Sequence, residues 1–483
     1  MQTVLISDLM ERSGVAFGTS GARGTVEAMT PAVCYAYTRA FIQAMETDGV
    51  LLKGSDILLA GDLRPSTPRI LAAVAKAVED AGYHAVYTGR LPSPAVAFHA
   101  IQHNNASIMV TGSHIPDDRN GIKFNRPDGE ILKRDEARIR ECRVEVPDDL
   151  PAFTGDELPA IDPAATEAYL ERYLEFFDRS ALAGMRIGLY EHSGVARDLL
   201  YTLLTGLGAG VTRLARSDRF IPVDTEAIRE EDVRLAREWA SESGFDAIVS
   251  TDGDADRPLI ADEQGNWLRG DMVGLLCARY LGIEVVVTPV SSNSAVEKSG
   301  LFKKVCRTRI GSPYVIEQMN AELANGRVAG YEANGGFLLA SPVTRDGGML
   351  APLPTRDAVL PILTILVAAH EQGRPISALL ADLPPRFTAS DRLKDFPSDR
   401  AREKIAALAD SPEAIEQQFG DLCGKVREID HTDGLRISFE NDEIIHLRPS
   451  GNAPELRCYN EAESQERAEQ LNVACLASLQ AWR

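Results

Sequence analysis

FDAIVSTDGDADRP, residues 245–258, is an apolar run that ends in three aspartates. The run has the length of a buried strand, and a helical pattern at residues 230–244 precedes it. Asp252, Asp254 and Asp256 alternate after the run, so an extended backbone would place them on one face. Crowded carboxylates raise one another's pKa unless a cation holds them, and oxygen-only ligands suit Mg²⁺ or Ca²⁺. The stretch predicts a strand of an α/β sheet that ends in a metal site.

Two other interpretations of this stretch are weaker. Glu263 stands at position twelve counted from Asp252, as in an EF-hand, but Arg257 occupies the position that needs glycine, and the loop directly follows a β-like run rather than a helix. A solvated acidic turn is the plain alternative for the segment taken alone.

The same unit, an apolar run that ends in a small-residue turn and is joined to a helical pattern, recurs along the chain. Strands are predicted at residues 55–62, 84–90, 106–114, 185–194, 209–214 and 283–289, with a further one in RVAGYEANGG (327–336), and helices at 68–84, 195–208, 230–244 and 271–282. Alternation of this kind predicts α/β domains, with ligands at the carboxyl ends of the strands. Residues 385–400 read as a linker. The section beyond them reads as an α+β module, in which DHTDG and END form hairpin turns.

The composition is that of a globular chain of 483 residues, with 44% hydrophobic and 25% charged residues. The formal net charge of −20 opposes binding to nucleic acid or to anionic membranes, so neither is expected as a partner. The seven cysteines are scattered without a C-x-x-C pair, and the amino terminus does not resemble a signal peptide. A cytoplasmic location is the expectation.

TGSHIPDDRNGIKF, residues 111–124, places Ser113 after an apolar run and returns Lys123 after an Asn-Gly turn at 120–121. Alone, Ser113 could be a turn residue or a helix cap. A phosphoserine beside three aspartates would need a metal to hold it, and Mg²⁺ bridging the two would complete its ligand shell. The combination predicts Ser113 as a covalent phosphate carrier.

Four further loops carry polar groups. RPSGNAPELR (448–457) sets Ser450, Gly451 and Asn452 between Arg448 and Arg457, a pattern typical of a phosphate site or, alternatively, of a plain hairpin end. FGTSGARG (17–24) surrounds Arg23 with glycines, and GDLRPS (61–66) presents Arg64 as a binding group or a surface charge. GYEANGG (330–336) spaces Glu332 and Asn334 to suit adjacent sugar hydroxyls, or forms an ordinary turn.

In this order the loops resemble those of the α-D-phosphohexomutases, the family of phosphomannomutase, phosphoglucomutase and phosphoglucosamine mutase. The resemblance runs end to end and implies three related mixed-sheet α/β domains plus a C-terminal α+β domain around a central cleft. The boundaries expected are 1–150 with the serine loop, 160–258 with the metal loop, 259–378 with the sugar loop and 385–483 with the phosphate loop.

The resemblance also implies an activity. A phosphoserine enzyme would interconvert hexose 1-phosphate and hexose 6-phosphate through a sugar 1,6-bisphosphate, which also serves as activator, with phosphomannomutase as the favoured subtype. One Mg²⁺ per chain would be held by Ser113, Asp252, Asp254 and Asp256. Catalysis would use Ser113, Lys123, His114 and Arg23. The substrate would be bound by Arg257, Arg309, Glu332, Asn334, Arg448, Ser450, Gly451, Asn452 and Arg457.

Several residues depart from the family pattern. Ile115 stands where asparagine is usual, Asn334 and Gly336 where the sugar loop commonly has serine and histidine, and Ser312 where histidine is frequent. The residues expected to transfer the phosphoryl group are all present, so we expect these departures to affect which sugar is preferred. Phosphoglucosamine mutase or phosphoglucomutase activity is the alternative within the family. A metal-dependent sugar-phosphate phosphatase and a non-catalytic phosphosugar- or Ca²⁺-binding protein are the alternatives outside it. A monomer or a dimer is expected.

Overall fold

The computed structural model describes residues 1–18, 21–450 and 454–483. The chain divides into two compact units, residues 1–283 with 311–379, and residues 284–310 with 380–483. Within the described residues, no helix is both long and apolar enough to cross a membrane.

The first part of the larger unit contains helices, a mixed sheet and a separate antiparallel pair, Gln2–Leu5 with Arg143–Val146. Its strands are Gln2–Leu5, Ala16–Phe17, Ala22–Thr25, Asp56–Gly61, His84–Arg90, Ala106–Val110, Arg119–Arg126, Gly129–Glu130 and Arg143–Val146. Its helices are Ile6–Ser13, Pro31–Thr47, Thr67–Asp80, Ser93–Gln102 and Lys133–Glu141. Asp56–Gly61 is parallel to both His84–Arg90 and Ala106–Val110, and Arg119–Arg126 runs antiparallel to Ala106–Val110. Apolar side chains of these strands and of the long helix Pro31–Thr47 form a buried core.

The next part of this unit repeats the arrangement. Its strands are Arg186–His192, Gly210–Arg216, Ala247–Thr251 and Pro258–Ala261, and its helices are Ala164–Leu174, Arg197–Gly206, Glu230–Ser243 and Gly270–Tyr280. Arg186–His192 lies parallel to the next two strands, and Pro258–Ala261 closes the sheet antiparallel to Ala247–Thr251. The carboxyl end of Ala247–Thr251 therefore leads directly into the aspartate motif.

The last part of the larger unit supplies the sugar loop. Its strands are Val328–Tyr331, Phe337–Leu339, Val343–Arg345, Gly348–Leu350 and Leu353–Asp357. Its helices are Ser312–Glu322, the 3₁₀ turn Leu323–Asn325, Val359–Gln372 and Ile376–Ala381, the last of which spans the division. Val359–Gln372 is the most apolar helical run of the sequence, and ten of its 14 residues are buried.

The smaller unit contains a parallel strand pair and an antiparallel sheet. Its strands are Val285–Pro289, Lys304–Thr308, Phe387–Leu393, Val426–Asp430, Leu435–Phe439, Ile444–Pro449 and Leu456–Ala462. Its helices are Ala295–Lys298, Ser398–Ala409, Pro412–Cys423 and Gln465–Gln480. The two predicted hairpin turns fall between consecutive strands of the antiparallel sheet, as expected from the sequence.

The predicted linker at 385–400 is wrong. Phe387–Leu393 is an edge strand that pairs along its whole length with Leu456–Ala462. Most of its side chains are exposed, and polar, charged residues are what an unpaired sheet edge favours. Its composition therefore matched that of a linker.

Candidate active site

The strand before the serine loop ends at Val110, four residues earlier than the sequence indicated. Ser113 is 1% exposed and has a φ of +57°, a conformation that costs a non-glycine residue free energy and is common at functional sites. Its hydroxyl donates to Asp252 Oδ2 at 2.6 Å, and His114 Nδ1 lies 3.3 Å from the same hydroxyl. The predicted carrier and the first predicted metal ligand are thus in direct contact.

Arg64 holds the backbone of this loop. The side chain is fully buried and donates to the carbonyl oxygens of Ser113 at 3.2 Å, Arg119 at 3.1 Å and Ile115. Asp62 balances its charge at 2.5 Å. A Cβ on Gly112 would lie 2.6 Å from Arg64 Cζ, so glycine is required there by close approach. Of the two interpretations of Arg64, surface charge is wrong and the residue is structural to the loop.

The metal loop gathers its three carboxylates by a turn. The strand ends at Thr251, and Ala255 has a φ of +57°, so the prediction that an extended backbone aligns the aspartates is wrong in its geometry. One oxygen from each of Asp252, Asp254 and Asp256 nevertheless lies within 4.8 Å of the others, and all three side chains are buried. A tight turn, rather than the alternation of side chains along a strand, therefore brings the three carboxylates together.

The chemistry of these carboxylates fits a divalent cation. Burial and repulsion from Asp254 and Asp256 raise the pKa of Asp252 well above its ordinary value. Asp254 Oδ1 and Asp256 Oδ1 are buried and have no hydrogen-bond partner among the described residues. Buried carboxylate oxygens without a donor cost free energy, and a hard cation would satisfy them.

Lys123 provides a protein cation at the same carboxylates. Its Nζ lies 2.6 Å from Asp254 Oδ2 and 2.6 Å from Asp256 Oδ2. Burial alone would lower the pKa of Lys123, but the two aspartates outweigh it and raise the pKa. Lys123 therefore lies beside the aspartates, and its role as general acid or base at the sugar stays a prediction.

The Asn-Gly turn predicted before Lys123 is wrong. Both residues lie inside the strand Arg119–Arg126. Asn120 is buried and donates to Ser66 Oγ at 2.9 Å and Thr67 Oγ1 at 3.1 Å. A Cβ on Gly121 would lie 2.8 Å from the carbonyl oxygen of Ala22, so glycine serves strand packing rather than a turn.

Two predicted arginines add positive charge around the carboxylates. Arg257 Nε is 3.6 Å from Asp256 Oδ1. Burial lowers the pKa of Arg23 to about 10, with further lowering by the positive charges of Arg257 and Arg356. Arg23 Nε is buried without a hydrogen-bond partner in the described part of the chain. Cations that repel one another in this way favour an anion such as a phosphoryl group.

His114 is held neutral by its surroundings. Burial, and then the charge of Arg257, lower its pKa to about 3, against the opposing effect of Asp224. Its Nε2 is 3.9 Å from Asp224 Oδ2. A neutral imidazole next to Ser113 can accept a proton.

The sugar loop is buried and internally bonded. Glu332 and Asn334 are 4% and 6% exposed. Asn334 Oδ1 accepts from the backbone N–H of Gly336 at 3.0 Å, so this side chain shapes the turn. Glu332 Oε2 lies 3.0 Å from Arg356 Nη1. The contacts of both residues with a sugar stay predictions.

The phosphate loop belongs to the smaller unit. Arg448 and Arg457 lie directly opposite each other on paired strands, an arrangement that is destabilising for like charges without an anion nearby. Asp433 Oδ1 is 2.9 Å from Arg448 Nε, and Ser450 N–H donates to the carbonyl of Glu455 at 2.8 Å. Arg309 Nε donates to the carbonyl of Thr432 at 3.2 Å. The predicted Gly451 and Asn452 lie outside the described residues.

Sequence reasoning missed several residues that contact the metal loop. Ser93 Oγ donates to Asp254 Oδ2 at 2.5 Å, and Arg356 Nη2 lies 2.9 Å from Asp256 Oδ2. Phe220 stacks on Arg64, whose Cζ is 4.0 Å from the ring centroid. Of these residues, only Arg64 had been singled out in the sequence, by its place after a strand, and Phe220 lies against Arg64 rather than against an aspartate. Ser93, Arg356 and Phe220 come from distant segments whose approach depends on the tertiary fold.

Comparison with known proteins gives matches along most of the chain. Models described as phosphoglucomutase/phosphomannomutase alpha/beta/alpha domains I, II and III match residues 14–145, 167–265 and 269–387. The model of the C-terminal domain of the same family matches residues 398–477. The resemblance inferred from the loops and the predicted fold class, three related α/β domains and a C-terminal α+β domain, are confirmed. The exact domain boundaries stay predictions.

Individual relatives agree with these matches. The phosphomannomutase of Salmonella muenchen is 47% identical over 464 residues, 95% of each chain. That of Sinorhizobium fredii (strain NBRC 101917 / NGR234) is 45% identical over 471 residues, 96% of this chain and 99% of the relative. A crystal structure of a phosphoglucomutase/phosphomannomutase family protein from Burkholderia thailandensis has a TM-score of 0.73 at 19% identity, and covers 96% of this chain and 97% of that one. At that identity the crystal structure bears on the fold alone.

Proposed function

The chain belongs to the phosphoglucomutase/phosphomannomutase family, the α-D-phosphohexomutases, and we propose that it is a phosphomannomutase. It interconverts mannose 1-phosphate and mannose 6-phosphate through a phosphoserine at position 113 and a bound sugar 1,6-bisphosphate. The observation that carries this proposal is the contact between the Ser113 hydroxyl and Asp252 at 2.6 Å, inside a ring of buried charges. The names of the two relatives at 47% and 45% identity support the choice of sugar.

Asp252, Asp254 and Asp256 are the proposed ligands of one Mg²⁺ per chain, together with a phosphoryl oxygen on Ser113. Two buried oxygens, Asp254 Oδ1 and Asp256 Oδ1, accept no hydrogen bond among the described residues, which supports a cation, and Mg²⁺ suits an all-oxygen set that includes a phosphate. When bound, the ion supplies neutralisation of charge at the phosphoryl group.

The residues of the chain itself perform the transfer. The hydroxyl oxygen of the sugar attacks phosphorus as the bond from phosphorus to Ser113 Oγ breaks, and the sugar's proton passes to a base. We propose that His114, which adjoins Ser113 Oγ at 3.3 Å, accepts that proton, and that Lys123, held protonated beside Asp254 and Asp256, supplies the proton that Ser113 Oγ takes up as it leaves. Arg23 and Arg257 place positive charge around the transferring group. In the second half-reaction the other phosphate returns to Ser113, and the same groups act in reverse.

Substrate binding is assigned to three further sets of residues. Glu332 and Asn334 bind sugar hydroxyls. Arg448, Ser450 and Arg457, with Gly451 and Asn452, bind a phosphate, for which the facing arginines are suited. Arg309 is a proposed additional phosphate contact. A cytoplasmic location, a monomeric or dimeric state, and a sugar 1,6-bisphosphate as activator stay predictions.

A panel of hexose and hexosamine 1-phosphates tests this function. Purified protein is supplied with Mg²⁺ and a trace of the corresponding bisphosphate, and both the 6-phosphate and inorganic phosphate are measured. We expect the highest kcat/KM with mannose 1-phosphate, no stoichiometric release of phosphate, and no turnover by Ser113→Ala. Turnover confined to glucosamine 1-phosphate would show that the protein is a phosphoglucosamine mutase instead. Release of phosphate without formation of the isomer would show that it is a phosphatase.

A further inference from the structure

Gly336, one of the positions that depart from the family pattern, lies against the side chain of Arg356. A Cβ added at Gly336 would be 2.7 Å from Arg356 Cδ, 2.8 Å from Cγ and 3.0 Å from the carbonyl oxygen of Asp256. Gly336 does not have a positive φ, so its backbone conformation is open to other residues. Glycine at this position is therefore explained by the space that the arginine occupies.

Arg356 connects the sugar loop to the metal loop. Its Nη1 lies 3.0 Å from Glu332 Oε2, and its Nη2 lies 2.9 Å from Asp256 Oδ2. The residue is 2% exposed, and both carboxylates are buried as well. One guanidinium thus fixes the separation of a proposed sugar-binding carboxylate and a proposed metal ligand, in surroundings where charge-assisted hydrogen bonds are strong.

The strand that carries Arg356 is anchored on both sides of it. Thr355 Oγ1 donates to Glu130 Oε1 at 2.7 Å. Asp357 accepts from Tyr169 at 2.7 Å and from Tyr173, and it caps the following helix through the backbone N–H of Val359 at 2.8 Å. Because Thr355 and Asp357 are both anchored, the backbone position of Arg356 between them is fixed.

A second departure from the family pattern joins the same network. Ser312 is fully buried, and its hydroxyl donates to Glu130 Oε2 at 2.7 Å. Glu130 therefore accepts from Ser312 and Thr355 at once, and it adds to the negative charges facing Arg356. The departures at positions 312 and 336 are thus linked through residues 355 and 356.

We propose that Arg356 is a positioning residue of the sugar-binding site, and that Gly336 is glycine in order to admit it. Arg356 acts through Glu332, which it holds towards the sugar, and through Asp256, which it holds in the metal loop. Its role in binding rests on the proposed mutase function, whereas its steric coupling to Gly336 does not. The planar guanidinium of arginine is important here, because its two terminal nitrogens each bind one carboxylate. The single ammonium group of a lysine would bind both carboxylates less well.

Kinetics of two Arg356 variants test the positioning role. Arg356→Met keeps the stem next to Gly336 and removes the charge, and Arg356→Lys keeps the charge and removes the fork. We expect kcat/KM for the sugar phosphate to fall roughly 10- to 100-fold in Arg356→Met, mainly through a higher KM, with Arg356→Lys between it and the parent. Arg345→Met is the matched control, because Arg345, at the end of the strand Val343–Arg345, pairs with Glu371 of the helix Val359–Gln372 and not with a proposed site residue.

A double-mutant cycle in thermal unfolding tests the steric part without any substrate. Gly336→Ala inserts the clashing methyl group, and Arg356→Ala removes the Cγ and Cδ atoms that it would meet. We expect Gly336→Ala to lower Tm in the parent and to lower it by a smaller amount in the Arg356→Ala background, because contacting residues are not additive.

The two measurements separate the possible failures. If KM is unchanged in both Arg356 variants while the parent turns over sugar phosphates, the positioning role is wrong. Additive Tm losses in the cycle would overturn the coupling of Gly336 to Arg356. If the parent itself lacks mutase activity, the proposed function fails and the positioning role fails with it, while the Tm cycle still decides the steric claim.

Discussion

Arg64 donates to the carbonyl oxygen of Ser113 at 3.2 Å, so a fully buried cation holds the backbone of the proposed phosphate carrier. Ser113 has a φ of +57°, and residues in that region persist only where their surroundings hold them. Three carbonyl oxygens and Asp62 share the one guanidinium, which makes it the centre of the serine loop.

Replacing Arg64 is expected to displace the nucleophile. We predict that Arg64→Met lowers kcat by about 100-fold, because small misplacements of a reacting group have effects of that order. Tm also falls, since Asp62 is left buried without its partner. Arg172→Met is the control, a buried arginine that also donates to a carbonyl but away from the serine loop. Equal kcat losses in Arg64→Met and Arg172→Met would contradict a specific role for Arg64.

Mg²⁺ is expected to stabilise the fold as well as support turnover. Because three buried carboxylates repel one another, the bound ion raises Tm, and EDTA removes both the gain and the activity. Asp254→Asn removes one ligand charge and should reduce the Tm gain at a fixed Mg²⁺ concentration, while Asp399→Asn, at an exposed surface carboxylate, leaves it unchanged. An identical gain in parent and Asp254→Asn would contradict the proposed ligand set.

His446 makes the stability of the smaller unit dependent on pH. Burial lowers the pKa of His446 to about 4, so the folded state keeps it neutral while the unfolded state takes up a proton below pH 6.5. The unfolded state therefore binds more protons between pH 6.5 and 4. The free energy of unfolding decreases by about 3 kcal/mol as the pH is lowered through that window.

Thermal unfolding of the parent and of His446→Gln at several pH values measures this effect. The glutamine variant should lose less Tm between pH 6.5 and 4 than the parent, because it has no proton to take up. Parallel curves for the two proteins would mean that His446 does not account for the dependence.

The sequence was most informative where the candidate catalytic and metal-binding residues come directly after a strand. Ser113 and the three aspartates each come within a few residues of an apolar run, so their meeting at strand ends follows from local pattern. The Asn-Gly pair misled because the same dipeptide serves both tight turns and close strand packing, and only the proximity of Ala22 distinguishes them. The edge strand Phe387–Leu393 misled because exposure at an edge gives a strand the composition of a loop.

Arg356 and Ser93 could not be found in this way. Each reaches the metal loop from a segment distant in sequence, and the approach depends on how separate strands and helices pack. Arg356 had an indirect signal in Gly336, whose small size implied that another group fills its space, but the sequence does not say which group.

Ser113 is the proposed carrier of the phosphate, and a labelling experiment tests this role. The protein is incubated with mannose 1,6-bisphosphate and Mg²⁺, its phosphorylated residue is identified by peptide mass spectrometry, and the labelled protein is then chased with mannose 1-phosphate. We predict phosphate on Ser113 alone, its transfer to the sugar in the chase, and neither event in Ser113→Ala. Phosphate on another residue, or full mutase turnover by Ser113→Ala, would contradict the account.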